Sequence, residues 1–484
     1  MSVNKRFTNA TERGYNMYRG GNLSRFVRSS GIFFLGNILS KIISFFLLPI
    51  YTRYIAVDDM GYYDVSVAYT NMAISVVFFE IWSAVLRYMY DKDTVEGKYS
   101  AAKSGGTIFL ASALVYAAGF TFFGSVLKIS HWELIALQGF AQCAVSFYTF
   151  SARGLNHNVD FAVSGILSVL TSAGVNILLI VYYHKGFTAM YYGYIISALV
   201  QIIYLEMRTG LFRGVRKTFW DKAETGKMLL YALPLCVNTV SYWAMTGFNR
   251  LAVNWLMGNS ANGILAIGNK FGTLITLVTT CFTYAWQDLS FSKAKETDTR
   301  SEFYSQACNT YARFLFCGML LLIPVCHIAF NIMITNPVYA EAESTIPLFL
   351  LVSVLSAIST FIGNVFYAVK DTKTIFFSTI TSALINMAIV FPAIKLWGMN
   401  GANIAACVGF ICNTLIRTII LHKKIGFAFN YTNLAVLLIA FCASFFVFQA
   451  ITNSGAVLLL AVTTVFAAWI FRKEIAGITK KSRR

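Results

Sequence analysis

Residues 189–206 read AMYYGYIISALVQIIYLE, residues 208–227 read RTGLFRGVRKTFWDKAETGK, and residues 228–256 read MLLYALPLCVNTVSYWAMTGFNRLAVNWL. An apolar run of helical length gives way to a stretch holding Arg208, Arg213, Arg216, Lys217, Lys222 and Lys227, and a second apolar run follows. A helix that crosses a hydrocarbon core needs about 20 mostly apolar residues. Lys and Arg resist translocation and gather in cytoplasmic loops. These residues therefore predict two membrane-crossing helices joined on the inner side.

The same alternation runs outward in both directions. Apolar stretches lie near 27–50, 62–86, 104–127, 132–150, 161–183, 189–206, 228–256, 261–286, 307–334, 345–369, 374–394, 400–421, 431–451 and 455–471, so fourteen crossings are predicted. With the N-terminus inside, 31 of the 39 Lys and Arg residues fall in inner segments. The outer gaps hold only Arg53, Lys128, Lys185, Arg250 and Lys395, while Lys41, Lys270 and Arg313 fall inside predicted helices. Fourteen crossings return both basic ends to the cytoplasm, and the expected location is a cytoplasmic membrane. A charged fraction of 12% and a mean hydropathy of +0.62 are far from the ~25% charge of a soluble domain. The net charge of +18 thus belongs to loops beside anionic membrane lipid, and no nucleic acid is expected as a partner. The first apolar run is too long for a cleavable signal and is expected to be retained.

Several chemistries find no support in the residue pattern. The nine Cys form no C-x-x-C pair and have no His or acid at metal spacing, so neither a disulfide framework nor a metal or cofactor site is expected. The run from Gly263 to Lys270 approaches a phosphate-binding loop, but it lies in an apolar helix with no strand before it. The outer gaps are too short for the catalytic loop of a membrane polymerase, so no catalytic residue and no enzyme activity are predicted.

An internal repeat organises the chain. Tyr54-Ile-Ala-Val-Asp-Asp-Met-Gly61-Tyr-Tyr-Asp-Val recurs in pattern as Leu256-Met-Gly-Asn-Ser-Ala-Asn-Gly263-Ile-Leu-Ala-Ile, and Lys185-Gly186 is echoed by Trp397-Gly398. A period of six crossings gives both copies the same orientation, as in parallel-repeat transporters. The expected fold is an all-α membrane protein with two six-helix lobes in parallel pseudo-repeat around a central cavity, plus two C-terminal helices. Its parts are a basic N-terminal segment (1–26), an N-lobe (27–207), a basic linker (208–227), a C-lobe (228–422), the last two crossings (431–471) and a basic tail (472–484).

Polar residues inside the helices mark the expected site. Asn262, Asn269, Thr273, Thr276, Thr280, Thr283 and Gln287 step along one face of the eighth segment, as do Ser30, Asn37, Lys41 and Ser44 in the first. Hydroxyls and amides often serve only to hold membrane helices together. A charge near the bilayer centre costs about 2.5–3.5 kcal/mol on the insertion scale and normally faces protein or water. Lys41, Arg53, Arg250 and Lys270, with Asn37, Asn249 and Asn269, are the candidate substrate contacts. An excess of fixed cations suits phosphate or pyrophosphate, and the hydroxyls and amides suit sugars. Asp64 and Glu80 have two open roles: neutralising these cations, or coupling transport to Na+ or H+.

The run from Ser40-Lys41 through Pro49, Arg53 and Gly61-Tyr-Tyr63 resembles the amino-terminal hallmark of bacterial polysaccharide-export flippases, the O-antigen flippase-like members of the multidrug/oligosaccharidyl-lipid/polysaccharide exporter superfamily. Asn249-Arg250 through Gly258, and Gly263 to Lys270-Phe271, look like that family's second half. The resemblance implies alternating-access movement of an undecaprenyl-pyrophosphate-linked oligosaccharide to the outer leaflet. It also implies cationic cavity residues that hold the pyrophosphate, here Lys41, Arg53, Arg250 and Lys270. A polymerase and glycosyltransferases are the implied protein partners. An ion-coupled antiporter of small organic solutes or drugs is the alternative, and the first helix, with Lys41 and no acid, argues against it.

Overall fold

The computed structural model describes residues 42–43, 45–293, 300–369 and 371–472. Among them the secondary structure is helical, with no strand. The helices are α1 (Leu48–Tyr54), α2 (Val57–Val77), α3 (Ile81–Tyr90), α4 (Val95–Val126), α5 (Trp132–Gly154), α6 (Asn158–Ile177, extended by a π turn Leu178–Tyr182) and α7 (Thr188–Thr209). Then come the short α8 (Leu211–Lys217), α9 (Lys222–Lys293), α10 (Arg300–Met333), α11 (Ala342–Ala368), α12 (Thr372–Trp397), α13 (Met399–Ile425), α14 (Tyr431–Phe448) and α15 (Asn453–Ile470).

Eleven helices are long and apolar enough to cross a membrane, or twelve if the bent pair α2–α3 counts as one span. The difference from the fourteen read from sequence has two sources. Residues 27–41, most of the expected first crossing, lie outside the described residues. The expected seventh and eighth segments run together as α9, a continuous helical stretch of 72 residues. A straight helix of that length would reach ~108 Å, more than three times the ~30 Å of a hydrocarbon core. Gly258 resolves the conflict: its φ of 85° and ψ of −179° break the helix into two arms. Asn254 Nδ2 donates to Asn259 Oδ1 at 2.5 Å across that break.

Lipid is as apolar as leucine, so burying leucine gains these helices little, and small or polar side chains do the packing. Leu114 and Val465 are 74% and 70% exposed, whereas Ser104, Ser151, Asn262, Ser382 and Asn386 are fully buried. The chain is accordingly a multi-pass membrane protein whose exposed leucines and valines face acyl chains. Two main cores form. One joins α2–α5 with Leu211, Met228 and Ala232. The other joins α10, α11, α14 and the second arm of α9, and it also takes Leu47, Leu48 and Tyr51 of the first half.

The gaps that the sequence assigns to one side of the membrane do meet at one end of the bundle. At the basic end, Lys92 pairs with Glu224 at 2.8 Å, Tyr99 OH donates to the Thr209 carbonyl at 2.8 Å, and Arg208 pairs with Asp160 at 2.7 Å. Lys424 pairs with Asp371. Burial would push the Asp371 carboxyl up, but donation from Lys424 and Thr374 outweighs it and holds the group below the usual carboxylate range. The linker is not extended: α8 (Leu211–Lys217) lies within it, and α9 already begins at Lys222. At the opposite end, Tyr62 OH donates to the Ser130 carbonyl at 2.5 Å, Asn336 Nδ2 to the Thr52 carbonyl at 3.0 Å and Tyr339 OH to the Ile55 carbonyl at 3.2 Å.

Arg417 departs from the sequence reading. Counted there among inner-loop cations, it lies inside α13 and is only 6% exposed. Its Nη1 donates to the carbonyl and hydroxyl oxygens of Ser359 at 2.6 and 3.2 Å, Nε to Ser378 Oγ at 3.0 Å and Nη2 to Thr379 Oγ1 at 3.1 Å. The planar fork thus ties α11, α12 and α13 together. Arg417→Lys keeps the charge but offers a compact ammonium in place of that fork. It is expected to cost about 1–3 kcal/mol, seen as a lower melting midpoint of the detergent-solubilised protein. An unchanged midpoint would show that the fork is not needed.

Candidate functional site

The two copies of the sequence repeat touch. Gly61, near the start of α2, lies so close to the turn in α9 that a Cβ there would sit 1.8 Å from the Asn259 carbonyl oxygen and 2.9 Å from the Gly263 nitrogen. A Cβ on Gly263 would lie 2.2 Å from the Val57 carbonyl oxygen. Both glycines are needed because backbone meets backbone. Ser260 Oγ donates to Asp58 Oδ1 at 2.5 Å beside this contact. Farther along, Trp255 Nε1 donates to Tyr69 OH at 2.9 Å and Trp243 Nε1 to the Ala68 carbonyl at 3.0 Å.

Just inside the glycine contact lies a charged cluster. Arg250 Nη1, on the first arm of α9, donates to Asp64 Oδ1 of α2 at 2.8 Å. Asn262 Nδ2, on the second arm, donates to Asp64 Oδ2 and to the Gly61 carbonyl, each at 3.2 Å. Lys270 is exposed and within electrostatic reach of both Asp64 and Arg250. Arg250 is bonded to this carboxylate, and Lys270 is near enough to feel its charge. Arg53, exposed in the last turn of α1, lies with its guanidinium carbon 5.6 Å from the Tyr54 ring centroid. Lys41 and Asn37 lie outside the described residues.

A cavity of about 380 Å³ opens from this cluster into the second half of the chain, lined by both arms of α9, α11 and α13. Its walls include Asn249, Arg250 and Asn269, and its one charged lining residue is Arg250. The sequence expectation was a cavity between the lobes with more fixed cations than acids, Asp64 and Glu80 being open as their partners or as coupling groups. This one is lined by second-half residues only, and its cation is already paired with Asp64 across the halves. Asn249 is a buried wall strut: its Nδ2 donates to the Ala402 carbonyl at 2.8 Å, and its Oδ1 accepts from Asn386 Nδ2 at 2.8 Å. Asn269 is buried, and its Oδ1 has no hydrogen-bond partner.

Most Ser and Thr hydroxyls of the lining spend their protons on their own helices. Thr273 donates to the Lys270 carbonyl at 2.6 Å, Thr280 to Thr276 at 2.6 Å, Thr283 to Thr279 at 2.8 Å and Ser353 to Phe349 at 2.9 Å. Such i−3 and i−4 bonds are the usual fate of Ser and Thr in membrane helices. What these side chains leave toward the cavity is oxygen lone pairs.

Glu80 stands apart from this site. It occupies the break between α2 and α3, where the axis bends by 49° and where Phe79 and Glu80 both take left-handed φ values of 52° and 55°. Two bulky side chains in that conformation are strained. Ser83 Oγ donates to Glu80 Oε2 at 3.5 Å, Thr239 of α9 lies near the carboxyl, and Cys143 and Cys236 are within electrostatic reach of it. Asp64 and Glu80 are therefore in different settings: one holds the halves together through Arg250, the other sits at a hinge.

Sequence reasoning missed Asn386, Asn403 and Arg417. Asn403 and Arg417 had a signal, because the helical register of α13 continues unbroken to Gly426, which ends it at φ 72°.

Comparison with known proteins places this geometry. The family described as "Polysaccharide biosynthesis protein" matches residues 26–286, more than half of the chain. The structure of the lipid II flippase MurJ in an inward closed conformation aligns with a TM-score of 0.69 at 15% identity, covering 92% of this chain and 99% of that one. A multidrug resistance MATE family transporter of the MOP superfamily aligns in its inward-facing conformation with a TM-score of 0.64 at 14% identity, covering 80% and 94%. The outward-facing conformation of such a MATE family transporter gives 0.58 at 12% identity, covering 83% and 95%. Comparison with curated protein sequences gives no match.

Proposed function

This chain belongs to the polysaccharide biosynthesis protein family, and from that premise we propose that it flips a polyprenyl-pyrophosphate-linked oligosaccharide across the bacterial cytoplasmic membrane by alternating access of two lobes. The observation that carries the reading is the Arg250–Asp64–Lys270 cluster at the mouth of a hydroxyl-lined cavity. A pyrophosphate replaces the single carboxylate as partner of two cations, because Arg and Lys donate short, charge-assisted bonds to phosphate oxygens. When it does so, the bond that ties α2 to α9 is released, so substrate binding and lobe separation compete for the same guanidinium. Lys41 and Arg53 remain further candidates for the pyrophosphate, Asn37 for the sugar, and Asn249 acts through the shape of the wall.

In this reading both termini and the basic end face the cytoplasm, and the Gly61–Gly263 contact is a closed outer gate. A strain lacking the gene is expected to lose its surface polysaccharide while lipid-linked repeat units accumulate on the inner leaflet. Normal surface polymer in that strain would refute the proposal. Glycosyltransferases supply the substrate, and a polymerase consumes it outside.

No domain for nucleotide hydrolysis occurs among the described residues, so we assign coupling to an ion, with Glu80 as the coupling carboxylate because Asp64 is committed to Arg250. A carboxyl at a helix break that faces α9 near Thr239 is placed to change its surroundings as the lobes move. Glu80→Gln is expected to keep lipid binding while removing the dependence of transport on an imposed proton or Na+ gradient. Unchanged gradient dependence in that variant would remove Glu80 from the account.

A further inference from the structure

The cavity walls carry a second piece of information, independent of the cations. Its hydroxyl protons at Thr273, Thr280, Thr283 and Ser353 are donated to backbone carbonyls. The buried Asn269 Oδ1 has no partner. No Asp, Glu or Lys lines the space, and Arg250 is held by Asp64. A wall whose Thr and Ser oxygens are mostly left as acceptors, and whose one cation is already paired, suits a ligand that brings its own hydroxyl or amide protons better than one that brings a carboxylate. The exposed ring of Tyr242, whose OH shares a 2.7 Å bond with Ser356 Oγ, and the ring of Phe410, 6.1 Å away, add apolar surface of the kind that packs on the C–H faces of a sugar.

We propose that this cavity is the specificity pocket for an uncharged sugar of the repeat unit, one rich in hydroxyl or N-acetyl groups, and that it discriminates against uronic acids and other acidic sugars. The proposal rests on the flippase reading and deepens it. The charged cluster takes the pyrophosphate, and the pocket takes sugar beyond it. At about 380 Å³ the pocket is near the small end of the ~300–1,000 Å³ range of small-molecule sites, so it samples a short part of the oligosaccharide rather than the whole.

The test uses the full-length protein in lipid nanodiscs and three short-chain probes: bare polyprenyl pyrophosphate, the same lipid with a neutral disaccharide, and the same lipid with a uronic acid in that disaccharide. The neutral glycolipid is expected to bind about tenfold more tightly than the bare lipid, and the acidic one to lose that gain. The double change Thr273→Val and Thr280→Val, which removes two acceptors but no structural donor to another helix, is expected to erase the gain while leaving the bare lipid's affinity unchanged. Thr280→Lys is expected to turn the preference toward the acidic sugar. Equal binding of neutral and acidic glycolipids, or a gain that survives the double change, overturns the pocket assignment while leaving the flippase reading intact. Binding of none of the three overturns both.

Discussion

Gly61→Val is expected to abolish export while the protein still inserts. The substituted side chain would have to occupy the space of the Asn259 carbonyl, 1.8 Å from its own Cβ position, and both groups belong to backbone that α2 and α9 hold in place. The clash is relieved by parting the two helices at that end, which holds the gate open. The readout is a single cysteine at Thr273, on the cavity wall, in a protein whose nine native cysteines have been replaced. Labelling by a membrane-impermeant maleimide from outside should be slow in the parent and fast with Gly61→Val. Gly263→Val, facing the Val57 carbonyl at 2.2 Å, should behave alike. Export at the parent level with either change would show that the glycine contact is no gate.

The second large effect is expected at Arg250. Losing one member of a buried ion pair leaves the other uncompensated, at a cost of about 3–5 kcal/mol when burial is complete. The Arg250 side chain is 34% exposed and that of Asp64 14%, so solvent screening brings the figure down to about 1–2 kcal/mol. Arg250→Gln should therefore lower the melting midpoint and, by removing a pyrophosphate contact, reduce export by at least about tenfold. Adding Asp64→Asn separates the two roles. The double variant has no orphaned carboxylate, so its midpoint should recover while export remains lost. Recovery of both would show that Arg250 only braces the gate.

The glycine contact also shows what the sequence made legible. The repeat around Gly61 and Gly263 was visible because a backbone-to-backbone contact between the two copies requires glycine in both. The alternation of apolar runs and basic gaps was visible because lipid imposes length and charge on every crossing, and the gaps assigned to each side do meet at one end of the bundle. Of the one-face pattern from Asn262 to Gln287, Asn269, Thr273, Thr276, Thr280 and Thr283 line the cavity, whereas Asn262 bonds Gly61 and Asp64 instead.

The sequence could not show which face meets which. The Arg250–Asp64 bond joins residues 186 positions apart, and no periodicity carries that information. Of the two roles the sequence left open for Asp64, the structure shows it paired with a cation, Arg250. The break at Phe78-Phe79-Glu80 contains neither Gly nor Pro, so its left-handed backbone left no mark in composition. Arg417 sits near the end of a crossing, and charge counting placed it in the loop that follows. Its hydroxyl partners on α11 and α12 hold it inside.

The central claim is that this chain moves a lipid-linked oligosaccharide between leaflets, with Arg250 and Lys270 holding its pyrophosphate. Purified protein in liposomes that carry a fluorescent polyprenyl-pyrophosphate oligosaccharide gives the direct measurement: the fraction of probe quenched by a membrane-impermeant reagent from outside. The account predicts that this fraction rises well above the protein-free level with the parent protein and stays near it with the double variant Arg250→Gln and Lys270→Gln. A parent protein that leaves the fraction at the protein-free level, or a double variant that matches the parent, would contradict it.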